Sequence, residues 1–105
     1  MNSYNNNFTN GTTTVAGATV TKKNSVTKTT TITVPSGSKF IGCGITSHST
    51  SGGNSNESSY TQTTCSGSIS GTSLTLSVTY TGTADWEGTT VKRTFGTTTV
   101  WYAYQ

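Results

Sequence analysis

Titratable chemistry is nearly absent from this chain: three acidic residues (Glu57, Asp85 and Glu87), one histidine (His48) and two cysteines stand among 105 residues. Catalytic sites hold several titratable groups close together with shifted ionisation, so a chain this poor in them is expected to work without enzymatic chemistry, as a binding or assembly surface. Long apolar runs are also missing, which leaves no segment able to span a membrane as a helix, and Met1-Asn2-Ser3-Tyr4 lacks the basic start and apolar stretch of a secretion signal. Charged residues make up 9% and only six are basic, with Lys22-Lys23 and Lys92-Arg93 the only doublets. A nucleic-acid surface needs a clustered basic stripe, so no nucleic acid is expected as partner, and the doublets read as solvated charges on an otherwise neutral surface.

What fills the chain instead is hydroxyl: about a quarter of the residues are threonine, with serine, glycine and asparagine as the background. Threonine is β-branched and suits a pleated surface with one wet face, which points to sheet rather than disorder. Short runs of Val, Ile, Thr and aromatics are punctuated by Gly, Ser, Asn and Pro at antiparallel spacing, predicting strands near 12–21, 26–34, 38–46, 60–65, 72–82, 89–95 and 97–104. No window carries a helical stripe. About seven strands in one domain imply an antiparallel β-sandwich with immunoglobulin-like or jelly-roll connections, a small barrel being the alternative. The domain is expected over 12–105, with the polar segment 1–11 as a flexible arm anchored by Tyr4 or Phe8.

Two strands are legible in detail. Leu74, Leu76, Val78 and Tyr80 alternate with Thr75, Ser77, Thr79 and Thr81, giving one apolar and one hydroxyl face. Val26, Ile32 and Val34 oppose Thr27, Thr29, Thr31 and Thr33 in the same way. In the next strand Ile41, Cys43 and Ile45 share a face while Gly42 and Gly44 point away, which suggests close backbone approach or a bulge. Pro35-Ser36-Gly37 is a turn, because proline presets φ and glycine accepts positive φ. Ser47 to Ser59 lacks strand signal and is read as the longest loop.

Cys43 and Cys65 flank that loop. A disulfide between them would close about twenty residues and stabilise by on the order of 3 kcal/mol, a sizeable supplement for a small core. A zinc site from Cys43, His48, Cys65 and Glu57 matches no ligand spacing, so neither metal nor cofactor is expected. Asp85-Trp86-Glu87 brings two carboxylates close, but between glycines at a corner they read as solvated acids rather than a glycosidase pair. Trp86 is a candidate contact residue, as is Tyr60. The ending Val100-Trp101-Tyr102-Ala103-Tyr104 is apolar on both faces: Val100, Tyr102 and Tyr104 on one, Trp101 and Ala103 on the other. Such a strand is expected to be covered on both sides, to abut a neighbouring subunit, or to shield a sheet rim.

The segment Val34-Pro35-Ser36-Gly37-Ser38-Lys39-Phe40-Ile41-Gly42-Cys43-Gly44-Ile45 resembles the strand, Pro-x-Gly turn and strand of small all-β modules from phage tail and other virion proteins and from bacterial surface proteins. Gly96 to Tyr104 is similar to their final strand. The resemblance implies a β-sandwich used on a virion or cell surface and carries over no catalytic residue. Modules of this kind often end in cysteine where this chain has Gln105.

The expected function is therefore structural: a capsid decoration, tail or fibre subunit, or an extracellular filament protein, with other protein subunits as partners in a homo-oligomer or lattice. The alternative is a carbohydrate-binding module in which Trp86, Tyr60 and Trp101 stack on sugar. An ice-binding sheet is a remote third reading, since threonine spacing looks uneven between segments.

Overall fold

The computed structural model describes residues 8–21, 24–52, 61–82 and 92–105. Among them there are nine strands and no helix: β1 (Thr9–Val15), β2 (Ala18–Thr21), β3 (Ser25–Thr33), β4 (Phe40–Ser47), β5 (Thr50–Gly52), β6 (Thr61–Ser70), β7 (Ser73–Gly82), β8 (Lys92–Phe95) and β9 (Thr98–Tyr104). They form three antiparallel sheets ordered β1-β9-β4, β2-β8-β5 and β3-β7-β6. The first two are continuations of each other, because the same three chain segments cross both. Each segment is interrupted at one level, at Ala16-Gly17, Gly96-Thr97 and His48-Ser49, with Val15 opposite Thr98 on one side of the break and Ala18 opposite Phe95 on the other.

Gly17 explains why the layer turns there. A methyl group on its Cα would lie 1.9 Å from the Phe95 carbonyl oxygen, so only glycine lets the two backbones approach this closely. The backbone of the third segment stays tied across the corner, with Gly96 N–H donating to the Ser49 carbonyl at 2.9 Å.

The bent layer faces β3-β7-β6, making an antiparallel β-sandwich, and among the described residues the strands close no barrel. Of the six chain segments, the last pairs with the first and the third (β9 with β1 and β4), and the fifth with the second and the fourth (β7 with β3 and β6). β7 supplies the centre of the core: Leu74, Leu76, Val78 and Tyr80 are all fully buried. Val15, Val20, Phe95 and Val100 meet them from the bent layer, with Val34 at one end. Each of these follows from period-two alternation in a strand with one wet face.

Boundaries moved where composition hid the pattern. The first strand opens at Thr9, so Thr9, Asn10 and Gly11 pair with β9 rather than belonging to an arm. β6 runs five residues beyond the expected Cys65, through Ser66-Gly67-Ser68-Ile69-Ser70, in unbroken register with β7. A short strand, β5, occupies part of the segment read as loop. Two tight turns contain glycine at positive φ, the expected one at Gly37 (88°) and another at Gly71 (61°), and Ser38 N–H closes the first onto the Pro35 carbonyl at 3.2 Å. Arg93 corrects the reading of its doublet as solvated charge: it is 6% exposed. β8 lies in the middle of its sheet, and alternation places Arg93 on the same side as buried Phe95.

Candidate functional site

Three large apolar side chains are exposed among the described residues: Phe8 at 51%, Ile41 at 50% and Trp101 at 43%. All three belong to the β1-β9-β4 layer. β9 is its central strand, not a rim, so Trp101 stands in the middle of the outer face. There it pairs with Thr12 on one side and Gly44 on the other. Its ring lies over β4, where a methyl on Gly44 would meet Trp101 Nε1 at 2.5 Å and one on Gly42 would meet its Cη2 at 3.5 Å. The two glycines thus make a flat seat for the indole, an arrangement in which a neighbouring aromatic covers backbone that glycine leaves bare.

Ile41 reaches the surface through a register shift. Phe40 is opposite Tyr104 and Gly42 opposite Ala103, leaving Ile41 as the extra residue of a bulge. Strict alternation had placed it with Cys43 and Ile45. The bulge puts Phe40 on the inner side with them instead, and all three pack against the core. Phe8 immediately precedes β1, and the alternation of that strand puts its position on the outer side with Asn10 and Thr12. β1, β4 and β9 contain no charged residue, so this face offers apolar surface set among hydroxyls and amides, with exposed Lys39 at its border, paired through its backbone with Gln105.

The other expected contact residues separate into two groups. Tyr102 and Tyr104 are on the inner side of β9, half-buried against the core, with parallel rings 6.3 Å apart. Tyr4, Tyr60 and Trp86 lie outside the described residues, as do Lys22, Lys23, Glu57, Asp85 and Glu87.

The structure does bring Cys43 and Cys65 together. Their sulfurs are 2.7 Å apart, both thiols free and half-buried. Burial pushes the Cys65 thiol up to about 12, helped by its hydrogen bond with Cys43 and by the proximity of that second sulfur. His48 does not join them. It stacks at a tilt on Phe95, ring centroids 5.6 Å apart, with its Nε2 3.3 Å from Thr63 Oγ1. Among the described residues no group of three or more His, Cys, Asp or Glu is placed to hold a metal ion.

The outer face of β3-β7-β6 is the opposite in character. Register aligns Thr27, Thr79 and Thr64 in one row, then Thr29, Ser77 and Ser66, Thr31, Thr75 and Ser68, and Thr33, Ser73 and Ser70. Every position in these rows is a hydroxyl, and Thr27 and Thr79 hydrogen-bond across strands at 2.9 Å. Spacing that looks uneven along the sequence becomes regular once three strands are laid side by side, about 4.8 Å between strands and about 6.7 Å along them.

Comparison with protein-family models, curated proteins and solved structures finds no match for the chain. No matched family therefore stands behind the resemblance of residues 34–45 and 96–104 to virion and surface modules.

Proposed function

We propose that this chain is a non-enzymatic structural subunit, a virion component such as a capsid decoration, tail or fibre protein, or an extracellular filament subunit, and that the Phe8, Ile41 and Trp101 face is covered by a second copy of the chain. The observation that carries the reading is the exposure of these three side chains together at β1-β9-β4, whose strands contain no charged residue. Monomeric proteins rarely leave a contiguous apolar patch on a sheet face without a partner for it. A second copy fits because the strands beneath the patch carry no charged residue on either copy, so two such faces meet with the nearest charge, exposed Lys39, left at the border beside Gln105.

At the β3 edge, the structure disfavours edge-to-edge pairing. β3 is an edge strand, and Lys28 sits half-buried on its inward side, a charge that resists addition of another strand. Light scattering coupled to size exclusion over rising concentration tests the reading: a defined oligomer is expected, shifted toward monomer by Trp101→Ser or Ile41→Ser with the circular dichroism unchanged. Wild type that stays monomeric at millimolar concentration sinks it. Saturable binding of an oligosaccharide by the monomer, lost in Trp101→Ala, would assign the indole platform to sugar stacking instead.

A second reading, an ice-binding sheet, is favoured by the in-register hydroxyl rows of the opposite face. It requires wild type to shape growing ice crystals into facets and Ser77→Lys, in the central strand of those rows, to abolish the effect with no loss of folding. Ice growing as round discs in wild-type solution would remove it.

A further inference from the structure

Independently of what covers the outer faces, the position of the cysteines in the sandwich assigns them a role. β4 and β6 are the rim strands of opposite layers, each the last in its sheet. Along this rim the layers touch without a hydrogen-bonded ladder joining them. Cys43 is opposite Tyr102 in one layer and Cys65 opposite Val78 in the other, both on core-facing sides. Their sulfurs meet at 2.7 Å, 22 residues apart in sequence.

A second contact shows that the rim is built for close approach. Phe40 of β4 crosses to β6 and lies against Gly67, where a methyl group would come within 2.6 Å of the phenyl ring. Glycine at 67 lets the phenylalanine bring the two strands together three residues from Cys43 and two from Cys65. A disulfide needs Cβ atoms roughly 4 Å apart, and this close-packed pair of strands provides such a setting.

We infer that Cys43 and Cys65 are a modification site, oxidised to a disulfide that staples the two layers along their unpaired rim. The oxidant is a small-molecule disulfide of the glutathione class. One cysteine thiolate attacks a sulfur of that molecule, forming a mixed disulfide and expelling a small-molecule thiolate. The other cysteine, deprotonated, then attacks the protein sulfur and expels the second. Two S–H bonds are lost from the protein, one S–S bond is made, and the two protons and two electrons leave with two molecules of reduced thiol. Because burial holds Cys65 protonated at neutral pH, the exchange is slow there and accelerates as pH rises.

Purified, reduced protein incubated with oxidised glutathione tests this. Intact mass should fall by two hydrogens, iodoacetamide should add nothing, and a non-reduced digest should join the Cys43 and Cys65 peptides. The melting temperature should rise by ~10 °C or more, reversibly on reduction. The Cys43→Ser/Cys65→Ser double variant should fold with the stability of the reduced protein and show no response to oxidant. Stable glutathione adducts, disulfide-linked dimers, thiols that remain alkylatable after oxidation, or a bond that forms without raising the melting temperature would each overturn the inference.

Discussion

Tyr80, at the centre of one layer, reaches across the core and hydrogen-bonds Thr98 in the other, oxygen to oxygen at 2.6 Å, while also lying 2.9 Å from the Ala16 carbonyl. The phenol has one hydrogen, and the carbonyl can only accept. Tyr80 therefore donates to Ala16 and Thr98 donates to Tyr80. Both partners flank the level at which the bent layer turns, so a single buried side chain ties the corner to the opposite sheet. Its ring also packs on Phe95, centroids 4.8 Å apart.

Tyr80→Phe should cost about 1–3 kcal/mol, because it strands the fully buried Thr98 hydroxyl and leaves the corner carbonyl without its donor. Urea unfolding measures the loss directly. In a double-mutant cycle with Thr98→Val the two changes should fall well short of additive, since the second removes a group that the first has already orphaned.

Gly17→Ala tests the corner from the backbone side. The added methyl would sit inside the Phe95 carbonyl oxygen, with the Gly96 carbonyl also within 2.6 Å, and these main-chain atoms cannot swing aside as a side chain would. A loss of about 2 kcal/mol or more is expected, as in other overpacked sites. Gly37→Ala meets no atom within 4 Å and is limited to the strain of its positive φ, about 1 kcal/mol. The melting temperatures of the two variants should therefore fall in that order.

Much of this architecture was legible because alternation is a local property. Leu74 to Tyr80 announced a buried face, and Thr27 to Thr33 a wet one, without reference to any other strand. That Cys43 and Cys65 lie close together was legible for a different reason, there being only two cysteines flanking one loop. What the chain could not disclose in one dimension was register. Ile41 left the inner face through a bulge that exists only against Tyr104 and Ala103. The hydroxyl rows needed three strands in alignment to be seen, because β6 uses serine where β3 uses threonine. Ser66 to Ser70 went unread as strand, since serine and glycine carry little β preference and pairing with β7 decides the matter. The seat for Trp101 had a signal, Gly42-x-Gly44, but its meaning depended on which strand would lie beside it.

Lys28→Val should leave folding stability unchanged or slightly higher, since the lysine is half-buried opposite Val78 on an apolar side. Its loss should show elsewhere. With the charge gone, β3 presents a nine-residue edge strand of threonine, serine, valine and isoleucine interrupted by no proline, bulge or acid. Faster growth of thioflavin-positive aggregates than in wild type is the expected result, and unchanged kinetics would mean that the edge is guarded by something other than Lys28.

The raised ionisation of Cys65 makes the reduced protein selectively sensitive to alkali. In the unfolded chain the thiol ionises near its ordinary value of 9.0, whereas in the folded protein burial and the neighbouring Cys43 hold it protonated to about 12. Below pH 9 both states carry the proton and stability does not depend on this group. Between 9.0 and about 12 the unfolded state releases a proton that the folded state retains, so stability falls as pH rises, and above both values the contribution is lost in full. Denaturant midpoints collected across that window for reduced wild type should fall more steeply than those of Cys65→Ser, which shares every tyrosine and lysine titrating in the same range. Parallel curves for the two proteins would show that the Cys65 thiol is not held protonated by the fold.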